Sequence, residues 1–399
     1  MIVNDDSDRG SRSFAPKLGA LLFLAGIFLL NFISRVILAP LMPTIERDLS
    51  LTHGQAGTLF LMIYIGYFFS LAGSGFVSSR VGHKLTIIIS AVATGAAILL
   101  VSHANSLAAI YTCLVLLGIG TGLYLPSGIA TITSLVNQKD WGKALAVHEL
   151  APNLSLFLAP VLTELFLDLL SWRGILAVLG GLSILAGAAF IRFGPGEGLR
   201  GEAPGAEVVK DLVVLPSFWI MMVVFGLGIG GSVAVYSMLP LYLVVGRGLE
   251  DTWVNTLIAL SRISGMFMAF VAGWVTDRIG ANRTMAAAIL TTGLAIMLLA
   301  VLPGPWLVVM VFIQPAVSAC FFPPGFAALS RVGPPEANNV AVSLVIPLAS
   351  LLGTGLMPAA IGYIAEAGTF DLGMALTGLV VLLGLVPLSL LKFSKESLD

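Results

Sequence analysis

A short motif occurs twice in this chain, and it constrains the fold more than any other feature. The first copy occupies residues 75–84 and the second occupies residues 273–283. The matched positions are Gly75, Ser79, Arg80 and Gly82 in the first copy, and Gly273, Asp277, Arg278 and Gly280 in the second. The same offset of 198 residues carries Pro160 to Pro358. Matches this far apart on one offset indicate a duplicated unit about half the chain long.

The composition of the chain indicates a membrane protein. Of its 399 residues, 58% are apolar and only 10% are charged, and the mean hydropathy is +1.01. Soluble domains carry about 25% charged residues, so this much apolar surface requires lipid as its solvent. A net charge of −1 without a basic stripe argues against nucleic acid as a partner. Cys113 and Cys320 lie in apolar runs and predict neither a disulfide framework nor a metal site, and no cofactor is indicated.

Twelve apolar runs are long enough to cross the bilayer core, which requires roughly 20 helical residues. They cover approximately residues 18–41, 55–78, 84–103, 106–135, 143–167, 172–193, 215–245, 252–276, 283–302, 305–330, 338–365 and 370–392. Barrel strands would instead alternate over about 10 residues. The predicted fold is therefore an all-α membrane protein with twelve transmembrane helices in two pseudo-symmetric six-helix bundles.

The distribution of positive charge predicts the orientation. The termini and the loops after runs 2, 4, 6, 8 and 10 hold fifteen of the twenty lysines and arginines. Positive charge accumulates on the cytoplasmic side, so both termini are predicted to be cytoplasmic in a bacterial inner membrane. The predicted organisation is an N-terminal tail (1–17), a six-helix bundle (18–193), a linker rich in glycine and proline (194–214), a second bundle (215–392) and a C-terminal tail (393–399). Short tails without heptads predict a monomer.

The repeated motif resembles the signature of the major facilitator superfamily (MFS), G-x3-D-R-x-G-R-R/K, between helices 2 and 3 of each bundle. The resemblance covers essentially the whole chain. It implies two parallel repeats that rock about a midplane site, with the motif loops acting as a conformational gate. The first copy departs from the signature at Ser79, where the second keeps Asp277, and His83 replaces a basic residue. This departure predicts weaker gating in the first half.

Other segments narrow the resemblance without fixing one subfamily. The stretches 31–35, 43–51, 55–57 and 172–173 resemble both the anion:cation symporters and the lysolipid-exporting spinster group. Arg262 in helix 8 is similar to the arginine of monocarboxylate and oxalate/formate carriers. The drug-antiporter signature of helix 5 is absent. The resemblance therefore implies transport of an organic anion with H⁺ or Na⁺, or export of a lysolipid.

Two arginines lie inside predicted spans, where a charge costs about 2.5–3.5 kcal/mol. Arg35 lies in helix 1 with Asn31 one turn earlier, and Arg262 lies near the middle of helix 8. Tyr64 is equivalent to Arg262 under the repeat, so the two are expected to face each other across the pathway, with Tyr67 one turn further on. A guanidinium stays charged and binds carboxylates in a bidentate manner, so both arginines are candidate substrate ligands. The alternative is a structural role, in which each arginine pairs with a buried acid, Glu149 being the best candidate, or with backbone carbonyls.

His148 and Glu149 are candidates for carrying a coupling proton. Histidine changes charge near neutral pH, and burial can bring a glutamate into that range. The sequence His148-Glu149-Leu-Ala-Pro lacks the second histidine that a zinc motif needs. The alternative is a pair at the cytoplasmic end of helix 5.

Polar and aromatic residues near the middle of other spans are candidate cavity residues. They are Tyr124, Asn153, Tyr236 and Phe322. Packing between helices is the alternative for the aromatic residues. Five acids near span ends are expected to be solvated: Glu164, Asp168, Glu250, Asp251 and Glu366.

These features predict a secondary transporter of a small, carboxylate-like organic anion, with proton symport by alternating access. The predicted partners are that anion, H⁺ or Na⁺ and the bilayer. Export of a lysolipid or other amphiphile is the alternative within transport. A membrane sensor without transport is a third hypothesis, for which the chain offers no soluble output domain. An enzyme is not expected, because the spans carry no combination of nucleophile and base.

Overall fold

A computed structural model describes residues 14–201, 206–332 and 338–391 of the chain. The predicted C-terminal tail (393–399) and most of the N-terminal tail lie outside these residues. The described residues are helical, with no strand among them. The prediction of an all-α membrane protein is confirmed.

Among the described residues, twelve helical segments are long and apolar enough to cross a membrane, as predicted, and they are numbered spans 1 to 12. The spans are Lys17–Leu49, His53–Val81, His83–His103, Leu107–Leu135, Gln138–Phe166, Trp172–Phe193, Pro216–Gly246, Asp251–Ile279, Ala281–Val301, Pro305–Leu329, Ala341–Ala367 and Phe370–Ser389. The short loops between spans 1–2, 3–4, 5–6, 7–8, 9–10 and 11–12 lie at one end, called the far end. The linker between spans 6 and 7 lies at the other end, called the linker end.

Several spans are broken helices. Spans 1, 4, 10 and 12 each contain two helices: Phe14–Val36 and Leu38–Leu49, Leu107–Gly122 and Tyr124–Leu135, Pro305–Ala319 and Phe322–Leu329, Phe370–Leu383 and Leu385–Ser389. Span 7 joins Pro216–Ile229 and Val235–Leu241 through a π-helical segment, Gly230–Ala234, and ends in a second one, Tyr242–Gly246. Span 11 joins Asn338–Ser350 and Met357–Ala367 through the π-helical segment Leu351–Leu356. Such segments leave backbone carbonyls partly free and often occur at functional sites.

Capping side chains start several helices at the far end. The Thr52 hydroxyl accepts from the Gln55 amide at 3.2 Å, while the Gln55 side chain accepts from the Thr52 amide at 3.0 Å. This reciprocal pair is a capping box, and it satisfies backbone donors that the first turn leaves free. At spans 4, 6 and 12 the hydroxyls of Ser106, Ser171 and Thr369 accept a backbone N–H of the first turn, without the reciprocal bond.

The sequence repeat is also visible in the backbone. Helices His53–Val81 and Asp251–Ile279 have both ends offset by 198 residues, as do His83–His103 and Ala281–Val301. Gly82 and Gly280 join these helices with φ of 83° and 87°, a region that favours glycine. The two motif glycines are therefore required by the same sharp turn.

The linker contacts the first motif copy. The His83 amide donates to the Leu199 carbonyl at 2.9 Å, and the Gly201 amide donates to the Ser78 carbonyl at 3.2 Å. Lys84 pairs with Glu197 at 2.8 Å. Further along, residues 206–214 of the predicted linker form a nine-residue helix.

Candidate functional site

Arg35 is surrounded by aromatic rings at mid-depth in span 1. It lies in the last turn of helix Phe14–Val36, and only 4% of its surface is exposed. Its Cζ atom lies 4.7 Å from the centroid of the Phe32 ring, 4.6 Å from that of Tyr67 and 5.9 Å from that of Tyr64. Rings at these distances stabilise a guanidinium over their faces and leave its N–H edges for other partners.

Arg262 has an unpaired donor edge in the middle of span 8. It is 5% exposed, and its Cζ atom lies 4.7 Å from the centroid of the Tyr236 ring. Its Nε and Nη2 atoms are buried without a hydrogen-bond partner, as is the Tyr236 hydroxyl. Nε and Nη2 form one edge of the guanidinium, the edge that binds a carboxylate through two parallel hydrogen bonds.

The two arginines lie on either side of the contact between the two sets of six spans. Helix Leu38–Leu49, which follows Arg35, packs on helix Val235–Leu241, which carries Tyr236. Gly355 of span 11 packs directly against Tyr64. The structure thus places Tyr64 beside Arg35, and Tyr236 rather than Tyr64 provides the ring over Arg262.

Neither arginine forms an ion pair with any residue that the structure describes, Glu149 included. The arginines therefore remain two buried positive charges. A buried charge is costly unless it is paired.

A chain of polar groups leads from the exposed Glu149 into the interior of the first six spans. Glu149 is exposed, and its carboxylate lies 3.3 Å from Nδ1 of His148, whose side chain is completely buried. Nε2 of His148 lies 3.2 Å from the Tyr124 hydroxyl, which donates to the Leu24 carbonyl at 2.7 Å. The His148 ring stacks on Phe28 with centroids 4.3 Å apart. Tyr124 is therefore bonded within the protein and is not free at a cavity wall.

The other predicted cavity residues have different surroundings. Asn31 is buried and donates to the Thr121 carbonyl at 3.0 Å, which ties span 1 to the break in span 4. Asn153 is exposed and donates to the Glu149 carbonyl at 3.2 Å. Phe322 is half-buried beside Phe321. Within the described part of the chain, none of these three forms a hydrogen bond or ring contact with either arginine.

Gln314 is a buried polar residue that is not among the candidate site residues predicted from the sequence. It is fully buried in span 10, and its amide donates to the Gly231 carbonyl at 2.5 Å, in the first π-helical segment of span 7. Its Oε1 atom is buried without a partner. An amide next to Pro315 inside an apolar run was the available signal.

Contacts between the two halves close the far end. Arg47 pairs with Asp251, Glu366 accepts from the Gly54 amide at 3.3 Å, and Glu164 accepts from Asn255 at 3.4 Å. The expectation that these three acids are simply solvated was incomplete, because each also bonds across the two halves. Gly57 of span 2 meets the backbone of Pro358 in span 11 without space for a side chain.

The motif loops at the linker end are not joined to each other. Arg80, Asp277 and Arg278 are exposed, and none of them forms an ion pair with a described residue. Arg278 lies over the Trp274 ring of its own helix at 3.8 Å, and the Ser79 hydroxyl donates to the Phe76 carbonyl of its own helix at 2.9 Å. Described side chains bond across the halves only at the far end. The structure is therefore closed at the far end and unlatched at the linker end.

Two sets of six spans, each with a buried arginine near mid-depth, define a multi-pass membrane transporter. The chain belongs to the Major Facilitator Superfamily, whose family model matches residues 24–345 and 263–398. The family and the relatives found are membrane transporters and a sensor rather than enzymes, so the prediction that this protein is not an enzyme is confirmed.

Similar proteins include transporters and one sensor. The chain is 25% identical over 395 residues to the probable sulfoacetate transporter SauU of Cupriavidus necator, covering 90% of each. It is 26% identical over 309 residues to the membrane sensor protein UhpC of Escherichia coli, covering 71% of this chain and 69% of that one. A bacterial homolog of the human lysosomal transporter Spinster, inward-facing and unoccupied, superposes with a TM-score of 0.76 at 16% identity, covering 94% and 96%. That last likeness concerns the fold alone.

Proposed function

We propose that this protein is a secondary transporter of a small, carboxylate-like organic anion. The observation that carries this proposal is the buried, unpaired Nε/Nη2 edge of Arg262. A guanidinium held at mid-depth without an acid is suited to an anion that arrives and leaves, because the anion then supplies the missing pair. Arg35 offers a second positive charge on the opposite half. Sulfoacetate, for which the relative SauU is named as a probable transporter, is itself an organic anion.

Alternating access would move the bundle 18–193 against the bundle 215–392. In the observed arrangement the far end is held by Arg47–Asp251 and by the packing of Gly57 on span 11. With both termini in the cytoplasm, as the positive charges favour, this arrangement opens toward the cytoplasm. Return to the other state would break the far-end contacts and bring the motif loops at Arg80 and Arg278 together.

Proton symport is the proposed coupling, through Glu149 and His148. Glu149 is exposed, so it can exchange a proton with water, while His148 connects it to Tyr124. A proton on Glu149 would leave both arginines free to bind the anion. A proton returned to water would restore a carboxylate that competes with the anion for the same positive charges.

Export of an amphiphile predicts a different site, open sideways to lipid. An apolar groove of about 410 Å³ does lie between spans 7, 11 and 12, lined among others by Leu227, Leu356 and Leu383. Neither arginine lines this groove. An amphiphile bound in this groove would not touch either arginine, so its transport should persist when the arginines are replaced, which transport assays can decide.

Reconstituted liposomes that contain a pH-sensitive dye provide the test. Added small carboxylates or sulfonates should acidify the lumen, and the variant Arg262→Gln should abolish the signal. Binding without any flux of ions or radiolabelled anion would instead indicate a sensor, as in UhpC. Undisturbed anion transport by Arg262→Gln would contradict the proposed site, and transport of lysolipid by that variant would favour the amphiphile.

A further inference from the structure

Charge balance at the two arginines restricts the substrate further. Arg35 and Arg262 are 4% and 5% exposed, and neither has an acidic partner among the described residues. Two other arginines do have an acidic partner: Arg47 binds Asp251, and Arg247 binds Asp371 at 2.9 Å. Among the described arginines, only Arg35 and Arg262 are buried, so their charges lack both an acid and contact with water. A ligand with one negative charge would leave one of them unbalanced in a low-dielectric site.

The arginines are also placed to bind separate groups. Each belongs to a different half, and each has its own aromatic neighbours: Phe32 and Tyr67 for Arg35, Tyr236 for Arg262. The rings cover guanidinium faces, so anionic groups must approach the edges. Arg262 has such an edge, because its Nε and Nη2 atoms are both buried without a partner, and on Arg35 the Nε atom is buried without a partner. Unpaired donors on two separate arginines suit two separate anionic groups.

We propose that the substrate is a small two-headed dianion, with one carboxylate or sulfonate on Arg35 and the other on Arg262. This inference rests on the proposed function and adds the charge and form of the substrate. Binding both heads would draw the halves together at mid-depth, because each arginine is fixed to its own half. A one-headed anion would lack this effect.

Binding to the purified full-length protein tests the proposal, with malonate and its monoamide, malonamate, as a matched pair at about pH 8. The pair has nearly the same shape but differs by one charge. Longer dicarboxylates and sulfoacetate extend the series in length and headgroup. We expect the best dianion to bind roughly 10- to 100-fold more tightly than its monoamide, the range of one charge-assisted hydrogen-bonded contact. The ratio of dianion affinity to monoamide affinity should fall to about 3-fold or less in Arg35→Gln and in Arg262→Gln, and each variant should still bind the monoamide weakly.

The variants Arg35→Lys and Arg262→Lys serve as controls for folding, since they keep the charge and should keep part of the advantage. Equal binding of dianions and monoamides, still dependent on Arg262, would overturn the two-headed dianion and leave anion transport intact. Tight binding of methyl phosphate that needs both arginines would overturn the two-headed geometry, because one head would then bridge them. Failure of every anion to bind would contradict the proposed function itself.

Discussion

Arg173 and Asp371 occupy equivalent positions 198 residues apart, at the starts of spans 6 and 12, and they carry opposite charges. Arg173 donates to the Ser102 carbonyl at 3.2 Å, at the end of span 3. Asp371 instead binds Arg247, which donates to the carbonyl of Ala300, the equivalent of Ser102. In both halves a guanidinium therefore donates to the equivalent carbonyl, that of Ser102 in the first half and that of Ala300 in the second. The duplicated unit has kept the contact while changing the residue that makes it.

This relationship predicts unequal effects of two substitutions. Arg247→Gln removes the contacts to Ala300, Tyr242 and Asp371 and should lower the free energy of unfolding by about 1–3 kcal/mol. Asp371→Asn should cost less than about 1 kcal/mol, because its side chain is 48% exposed and solvent screens the pair. Thermal unfolding in detergent measures both, with exposed Arg283→Gln as the control. If both variants lose the same free energy of unfolding, the bond from Arg247 to the Ala300 carbonyl does not contribute as argued.

Much of the fold follows from the sequence, because run length, turn glycines and the repeat are local or periodic signals. The turn at Gly82 and Gly280 is one case. Its positive φ is a local property of the backbone that favours glycine, so the glycine itself indicates the turn. The pair Arg47–Asp251 could not be predicted, because it joins residues 204 apart that meet only when the halves pack at the far end. The ring over Arg262 could not be predicted from the repeat either. Equivalent positions line the two halves, but the contact with Tyr236 depends on how spans 7 and 8 pack.

The far end should open when side chains are added at its glycine contacts. A Cβ on Gly57 would overlap the Pro358 carbonyl, so Gly57→Val should separate spans 2 and 11 and shift the population away from the observed state. Gly73 lies in the same span with no atom near its Cβ position, so Gly73→Val is the matched control. Spin labels at the exposed residues Leu169 and Trp306 report the separation, after replacement of the native cysteines. A distance that lengthens in neither variant, or in both, would argue against this contact as the closure.

The docked linker should depend on pH and salt. Lys84 donates to Glu197 at 2.8 Å and lowers the pKa of that carboxyl below its ordinary value. The contact is therefore complete above the ordinary pKa and is lost as pH falls through the lowered one. The effect should be small and salt-sensitive, because the Glu197 side chain is 85% exposed.

Hydrogen exchange at the His83 amide measures this docking, since that amide donates to Leu199. We expect a few-fold faster exchange in Glu197→Gln, relative to the intrinsic rate, and no change in Asp168→Asn at the far end. High salt should accelerate exchange in the parent protein and not in Glu197→Gln. If high salt still accelerates exchange in Glu197→Gln, the salt-sensitive contact is not the pair Lys84–Glu197.

Tyr236 and Tyr124 should respond in opposite ways to loss of their hydroxyls. The Tyr236 hydroxyl is buried without a partner, so Tyr236→Phe should stabilise the unliganded protein by roughly 1 kcal/mol and weaken anion binding. The Tyr124 hydroxyl donates to the Leu24 carbonyl at 2.7 Å, so Tyr124→Phe should destabilise the protein by a similar amount. The free energy of unfolding, measured with and without added anion, distinguishes the two variants. Unchanged anion binding in Tyr236→Phe would remove that hydroxyl from the site.

Glu149 should set the pH dependence of transport if it carries the coupling proton. Glu149→Gln mimics the protonated side chain, so the variant should still exchange internal for external anion but should no longer accumulate anion in response to a proton gradient. His148→Gln should slow transport more than it uncouples it, because His148 is buried behind Glu149 and connects it to Tyr124. Counterflow and gradient-driven uptake in the same liposomes separate exchange from coupling, with exposed Glu250→Gln as the control. Gradient-driven accumulation that persists in Glu149→Gln would assign the coupling ion to another group, and sodium would then be the ion to test.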